Sequence, residues 1–321
     1  MRAQPLRNLL VAVSILWATA AAAEPIAFVV AMKGAVSVTG AKGGAAAKAT
    51  LGRPLERGDK VQVGAGGSAS LFFSDGNVIE LDGGSSMTVG GRLASLDPKH
   101  VGPGSEVSAQ VFTRVSKFIT SKNQQSGLVA LSAMRGGSDA PAPLILAPRR
   151  SSTLSGRPDF AWRAVAGATR YRVTVTTDEG EAWSHEVPDT SLAYPADAKE
   201  LAAGGDYVWS VVALSDIKPP HQEESSFHVL TAGEASQVRD HLGSIQHAAG
   251  DSTSAGRYLA GSYLVGRGLY DEAARQFEAL VRLDPDAAGP HEALANVYRT
   301  VGLTDLAQAE MKRANAISTS H

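Results

Sequence analysis

Hydrophobic and polar residues alternate in short runs over residues 24–92. Glycine, aspartate or asparagine bounds the runs, and none of them carries a helical period. Short alternating runs predict strands, so this segment is expected to fold as a small all-β domain. Asp75-Gly76 is expected to form a tight hairpin turn because glycine accepts a positive φ. The runs are 35–38, 60–63, 68–73, 78–81 and 87–89.

A second alternating segment, residues 144–230, predicts a small β-sandwich. Turn signals containing glycine separate its strands. Alternation places Trp162 and Trp209 inside the sandwich, whereas Trp183 is the better candidate for an exposed aromatic side chain. The residues expected on the strand faces are Phe160, Trp162, Tyr171, Val173, Val175, Tyr207, Trp209, Val211 and Ala213.

Residues 93–143 form a connector in which one helix is expected, at about 105–121. Its apolar residues recur at the spacing of a single helical face, and Ser105 is a plausible N-cap. Basic residues occupy the other side, so the helix could lie on a membrane surface. Packing against a neighbouring domain is the favoured alternative. The apolar face comprises Val107, Val111, Phe112, Val115, Phe118 and Ile119.

The period becomes helical over residues 231–321. The segment Gly-Leu-Tyr-Asp-Glu-Ala at 268–273 returns as Gly-Leu-Thr-Asp-Leu-Ala at 302–307, a period of 34 residues. This period is typical of repeated helix-turn-helix units. One further helix, at 235–246, is expected to cover one end of the repeats. Ser254 is the expected N-cap of the next helix.

Three families resemble the three predicted domains. Residues 34–38 (Gly-Ala-Val-Ser-Val), 55–59 (Leu-Glu-Arg-Gly-Asp) and 67–76 are similar to the FecR-like domain of envelope proteins. Signalling by that family requires a cytoplasmic segment ahead of a membrane span, and only residues 1–8 precede the apolar run here. The resemblance therefore implies an envelope module used for another purpose.

Two further resemblances concern the rest of the chain. Residues 158–162 (Pro-Asp-Phe-Ala-Trp), 167–173 and 205–211 resemble a fibronectin type III-like domain, which implies a fold and no particular ligand. The two copies of the 34-residue pattern resemble a pair of tetratricopeptide repeats. Small residues such as Gly261 and Ala295 occur where two helices are expected to approach closely. Such repeats imply a concave groove that usually receives another polypeptide.

The N-terminus reads as a secretory signal peptide over residues 1–23. Arg2 and Arg7 precede a short apolar run, and cleavage is expected after Ala23; retention as an anchor is the alternative. These features predict a periplasmic or secreted protein without disulfides, because the chain has no cysteine. Its formal net charge of −2 argues against a nucleic-acid partner.

Catalytic motifs do not appear in the sequence. The eight histidines are scattered without HExxH spacing, and no G-x-S-x-G motif, P-loop or dinucleotide fingerprint occurs. His291-Glu292 is expected on a solvated face of the second repeat. We therefore predict a chain that is not an enzyme and that uses no metal and no cofactor.

The predicted function is that of a cell-envelope adaptor whose helical repeats bind a protein partner. The alternative is a module that binds cell-wall peptidoglycan or polysaccharide through the β domains. Membrane contact by the connector helix is possible on the pattern but is not favoured. The groove residues, chosen by helical position, are Arg257, Tyr258, Leu264, Arg267, His291, Asn296 and Arg299.

Overall fold

The computed structural model describes residues 25–74, 78–90, 99–101, 114–115, 117–119, 142–215 and 221–319. β-sheets occupy the N-terminal two thirds of these residues, and helices occupy the remainder. The predicted signal peptide lies outside the described residues, as does the Asp75-Gly76 turn. The strands on either side of that turn do pair in antiparallel register, with Phe72 opposite Val78.

Two sheets make up the N-terminal β region. A five-stranded sheet has the order β4-β1-β6-β7-β9, and a four-stranded sheet has the order β3-β2-β5-β8. Valine, leucine and isoleucine side chains fill the space between the two sheets. The strands are β1 Ala27–Lys33, β2 Val36–Thr39, β3 Ala47–Lys48, β4 Pro54–Leu55, β5 Lys60–Val63, β6 Ser68–Phe73, β7 Val78–Asp82, β8 Ser86–Thr88 and β9 Lys99–Val101.

Strand β1 lies between β4 and β6, and it was not among the predicted strands. Its first four residues are all buried, because Ala27 and Val29 face the second sheet while Phe28 and Val30 face the helices. A strand covered on both faces carries a continuous apolar run instead of an alternating one. The run of seven apolar residues at 26–32 was therefore the signal for it.

The second β region is a sandwich of two sheets. Sheet β10-β12-β15 faces sheet β11-β17-β16-β13-β14 across an aromatic core. The pair β11 and β17 is parallel, and the other pairs in the described part are antiparallel. The strands are β10 Leu144–Ala147, β11 Ser151–Thr153, β12 Phe160–Arg163, β13 Arg170–Thr177, β14 Gly180–Val187, β15 Ser191–Leu192, β16 Asp206–Leu214 and β17 His221–Val229.

The burial of the tryptophans in the sandwich was predicted correctly for two residues and wrongly for the third. Trp162 and Trp209 are buried, as predicted. The prediction for Trp183 was wrong, because its side chain is only 8% exposed. Trp183 lies opposite Val175 on the inward face, packs edge-on against Phe160, and donates from Nε1 to the Tyr194 hydroxyl at 3.1 Å.

The helical region contains five helices beyond residue 231. Thr231 and Glu234 form a capping box at the start of the first, which stabilises that end. Thr253, and not Ser254, is the N-cap of the second, and its hydroxyl accepts from the Gly256 N–H at 2.9 Å. The helices are α2 Ala232–Ala249, α3 Ser254–Gly266, α4 Tyr270–Leu283, α5 Ala288–Thr300 and α6 Thr304–Thr319.

Helices α3 to α6 form two hairpins with the same local geometry. Gly268 and Gly302 follow the first helix of each hairpin with φ of 76° and 82°, a conformation that favours glycine. Leu269 and Leu303, the next residues, are both buried. In the first hairpin α3 and α4 approach so closely that a Cβ on Gly261 would lie 2.7 Å from the Phe277 ring.

Part of the connector is also helical. Residues 114–115 and 117–119, numbered α1 here, are the described part of the predicted 105–121 helix. Val115, Phe118 and Ile119 are buried, so the predicted apolar face packs inside the protein. The other predicted face residues, Val107, Val111 and Phe112, lie outside the described part. None of the described helices has the length and hydropathy that a membrane span requires.

Candidate functional site

The seven predicted groove residues divide by exposure. Arg257 and Arg267 are partly buried, and Arg299 is exposed. The other four are buried, with exposed fractions of 0–5%. In this conformation those four side chains are packed inside the chain and do not offer a surface to a partner. They are Tyr258, Leu264, His291 and Asn296.

The chain itself covers one face of α3 and α5, the first helices of the two hairpins. Phe28, Val30, Phe72 and Val78 from the N-terminal β region join the helices and α1 in one hydrophobic cluster, which we call the shared core. Backbone approach is close at two places. A Cβ on Gly52 would lie 2.6 Å from the Tyr258 hydroxyl, and one on Gly289 would lie 2.6 Å from the Leu51 Cβ.

Helix α1 lies within the shared core. The Phe118 ring stacks on the Phe277 ring of α4, with centroids 5.7 Å apart. Arg114, on the basic side of the helix, donates from Nη1 to the Gly266 carbonyl at 2.8 Å, which satisfies an acceptor at the end of α3.

Burial in the shared core raises the pKa of the Tyr258 phenol above its usual value, because the charged form is poorly solvated there.

His291 is buried, contrary to the predicted solvated face. Its Nδ1 lies 2.6 Å from Oε2 of Glu310, and its Nε2 lies 3.2 Å from the Pro285 carbonyl oxygen. Arg313 donates to the other carboxylate oxygen of Glu310. These contacts join α5 to α6, so the polar groups of the second hairpin hold helices together instead of lining an open groove.

The helical region meets the sandwich through a second, polar contact. Arg149 donates to the Val301 carbonyl at 3.0 Å and to the Glu223 carboxylate at 2.8 Å. The backbone N–H of Ser152 donates to the Gly268 carbonyl at 2.8 Å. Arg149, which precedes β11, thus contacts the residue that follows α5, and the backbone of Ser152 in β11 contacts the loop that follows α3.

Ser151 caps a helix that belongs to another part of the fold. Helix α4 has no side-chain cap of its own, since Leu269 occupies the N-cap position. The Ser151 hydroxyl oxygen instead accepts from the Tyr270 N–H at 2.9 Å and from the Asp271 N–H at 3.4 Å. A sequence search for caps considers residues adjacent to the helix, so it could not find one 119 residues away.

Asp271 lies at the same helix terminus. Burial raises the pKa of its carboxyl to about 8, and the neighbouring carboxylate of Glu272 adds to the rise. Arg275 and hydrogen bonds from Ser151 and the Arg149 backbone oppose the shift. Burial also raises the pKa of Glu272. The polar contact therefore holds a carboxyl group that is mostly neutral at pH 7.

A concave cavity of about 430 Å³ opens beside this polar contact. The outer face of the sandwich forms its floor, and the loop that enters α4 forms one wall. Its residues come from five separate strands and loops, so no local pattern in the sequence predicts it. They include Arg150, Ser152, Thr176, Asp206, Val208, Ser226, His228 and Tyr270.

Comparison with known proteins assigns no family to this chain. No protein-family model matches the chain, and no curated protein matches it. Among solved structures, a solution structure of the fn3 domain of the human collagen alpha-1(XX) chain is similar at 21% identity with a TM-score of 0.24. The match covers 32% of this chain and 94% of that domain. At that TM-score the likeness carries no argument about the fold or the function of this chain.

Proposed function

We propose that this chain is a non-enzymatic adaptor of the bacterial cell envelope that binds a protein partner through its C-terminal helices. In this proposal the helical region is a pair of tetratricopeptide repeats, the N-terminal β region is a FecR-like domain, and residues 1–23 direct export to the periplasm. The proposal includes no cofactor, metal or nucleic acid.

The observation that carries the proposal is the repeated hairpin geometry of α3 to α6. Two equivalent helix pairs, each with a glycine of positive φ after its first helix, generate a regular side-by-side surface of the kind that binds polypeptides. The first-helix face of α3 already holds a protein surface, the β1 side of the N-terminal sheet. These helices are therefore suited in shape and chemistry to pack against another folded element.

The partner must use a part of the helical surface that the chain leaves uncovered. Arg299, near the end of α5, is the exposed member of the predicted groove set. Leu283, at the end of α4, is 53% exposed, which is unusual for a large apolar side chain in this protein. We assign the partner-binding surface to the helical region around these two residues.

Site-specific photocross-linking in cells tests this proposal. A photoreactive amino acid is placed at Arg299, at Leu283, or at Glu179 in an exposed turn of the sandwich as the matched control. We expect the two helical positions to capture the same protein, and Glu179 not to capture it. Absence of any adduct at both helical positions, or an identical adduct at all three positions, would contradict the proposal.

Truncation is a poor test here. Removing residues 232–321 would expose Phe28, Val30, Phe72 and Val78, which are buried against the helices. A truncated chain would then present a new apolar patch and capture proteins nonspecifically. Point replacement at exposed positions avoids that artefact.

A further inference from the structure

The cavity beside the polar contact has a floor of small side chains. Strand register places Thr176, Val208 and Ser226 in one row across β13, β16 and β17. Asp206 and His228 form the next row with Ser152 of β11. Because residues of one row lie side by side, the floor carries one apolar side chain among hydroxyl groups, with an acid and an imidazole beside them.

Val208 is the centre of this floor. Its side chain is 42% exposed, and Leu283 is the only other large apolar residue of comparable exposure in the described part. The Asp206 carboxylate lies 2.9 Å from His228 Nδ1 yet remains 89% exposed, so it keeps oxygen atoms free to accept further hydrogen bonds. The floor thus combines a small apolar patch with a polar rim.

Arg150 stands at the rim with an unused guanidinium group. Its side chain forms no ion pair and no hydrogen bond within the described part of the chain, and a Cβ on Gly302 would lie 3.2 Å from its Nη1. Its backbone φ is 46°, a left-handed conformation that costs energy for an arginine. The fold thus keeps a side chain with five N–H donors at the mouth of the cavity.

The lining excludes several classes of ligand. An extended peptide would need unpaired backbone groups, but β16 and β17 are paired on both sides. A phosphate group would meet Asp178 and Asp206 as well as Arg150, and their negative charges oppose it. A fatty ligand would find little exposed apolar surface besides Val208, since Phe227 and Tyr207 are 3% and 6% exposed.

We propose that this cavity binds a saccharide ring. A pyranose has an apolar C–H face bordered by hydroxyl groups, which matches Val208 with Thr176 and Ser226 on either side in its row and Ser152 in the next row. Arg150 donates to ring substituents from one rim, and Asp206 accepts from hydroxyl groups at the other. Tyr270, from the entry to α4, supplies an aromatic wall.

The inference goes beyond the proposed adaptor function and is independent of it. The cavity floor belongs to the sandwich, whereas the proposed partner surface lies on the helices around Leu283 and Arg299. Cross-linking at the helices and saccharide binding at the cavity can therefore each fail without affecting the other.

The test is a titration of the intact chain with defined oligosaccharides, followed by saturation-transfer NMR and calorimetry. The probes are three neutral oligosaccharides, namely the tetramer of N-acetylglucosamine, cellotetraose and maltotetraose, with inorganic phosphate as a further probe. We expect saturable binding of at least one oligosaccharide and none of phosphate. Binding of phosphate alone, or of none of the four probes, overturns the proposal.

Matched variants locate the binding. Val208→Lys places a long charged side chain over the floor and should weaken binding by at least about tenfold. Val212→Lys is the control, since Val212 lies on the same face of the same strand, four residues away and outside the cavity. Equal effects of the two variants, or unchanged binding by Val208→Lys, overturn the assignment.

Arg150→Gly separates binding from stability. Glycine accepts the left-handed backbone conformation, so this variant should be at least as stable as the parent. It should nevertheless bind the saccharide about tenfold more weakly, because hydrogen bonds from a charged donor are lost. If both the affinity and the stability are unchanged, Arg150 does not contribute to saccharide binding, and the role proposed for the cavity rim is wrong.

Discussion

Among the described residues, the helical region contacts both the N-terminal β region and the sandwich, and the two contacts differ in chemistry. Toward the N-terminal β region it presents the shared core, in which aromatic and aliphatic side chains such as Tyr258 and Phe118 are almost fully buried. Toward the sandwich it presents hydrogen bonds to Ser151 and Arg149, and an ion pair with Glu223 inside the sandwich holds Arg149 in place. The apolar contact joins two regions into one folding unit, whereas the polar contact positions a second unit against it.

This difference has a functional consequence. Separating the helices from the N-terminal sheet would expose a large apolar surface, so those two parts are expected to stay together. The hydrogen-bonding groups at the sandwich can be satisfied by water if the contact opens, so its separation is less costly. A ligand in the cavity, which touches both Val208 and Tyr270, would favour the closed arrangement of this second contact.

The largest expected effect comes from removing Phe277 at the centre of the shared core. Its ring is fully buried and contacts the rings of Phe118 and Tyr258. Phe277→Ala should lower the free energy of unfolding by about 3–5 kcal/mol, because it leaves a cavity and removes aromatic contacts. Circular dichroism at 222 nm during urea unfolding measures the loss.

Tryptophan fluorescence allows the unfolding of the sandwich to be measured separately from that of the helices. Within the described residues, all tryptophans lie in the sandwich, so their fluorescence reports its unfolding while circular dichroism reports the helices. Phe277→Ala should shift the circular dichroism transition more than the fluorescence transition, and Phe160→Ala, in the sandwich core, should do the reverse. Equal shifts in both signals for both variants would show a single cooperative unit and refute the distinction drawn between the two contacts.

The sequence predicted the elements of each region better than the contacts between them. Periodicity identified strands 60–63 and 68–73 with the bounds the structure gives, because alternation along one strand is a local property. It missed β1, whose second face is buried by helices more than 200 residues away in sequence. Burial from a distant element cannot be read from the local period.

The groove prediction shows the same limit. Helical position identified Tyr258 and Leu264 as residues of the first-helix face, but it could not indicate that the chain's own sheet packs against them. The cavity and the Ser151 cap were out of reach for the same reason, since each is assembled from residues distant in sequence. Trp183 was misassigned because strand pairing with β13, and not its own short segment, sets which way it faces.

Asp271 is expected to make the stability of the protein depend on pH. Its pKa is raised to about 8 in the folded chain, against about 3.9 in an unfolded one, so the folded state holds the proton more tightly. The free energy of unfolding should therefore fall as pH rises between these values, by up to about 1.4 kcal/mol per pH unit. Asp271→Asn removes the titrating group and should be more stable than the parent at pH 9, with the difference shrinking toward pH 5.

Urea unfolding of both proteins at pH 5, 7 and 9 measures this difference. Asparagine keeps an oxygen that accepts from Ser151 and from the Arg149 backbone, so geometry is preserved. Asp305→Asn is the matched control, because Asp305 occupies the first turn of α6 and is exposed. A stability difference for Asp271→Asn that does not change with pH would argue against a buried neutral carboxyl at the polar contact.

The smallest effect is expected for the Ser151 cap. Ser151→Ala removes the oxygen that accepts from the Tyr270 and Asp271 N–H groups, and losing an N-cap costs about 1 kcal/mol. Thr253→Ala, which removes the local cap of α3, should cost a similar amount, while Ser226→Ala on the exposed face should change little.

The three variants distinguish a local cap from a distant one, because Ser151→Ala alone should also weaken the polar contact. Its circular dichroism and fluorescence transitions should move apart, whereas in Thr253→Ala only the circular dichroism transition should shift. If Ser151→Ala instead behaves like Ser226→Ala, water replaces the hydroxyl at the α4 terminus and the two contacts differ in chemistry without the cap coupling them.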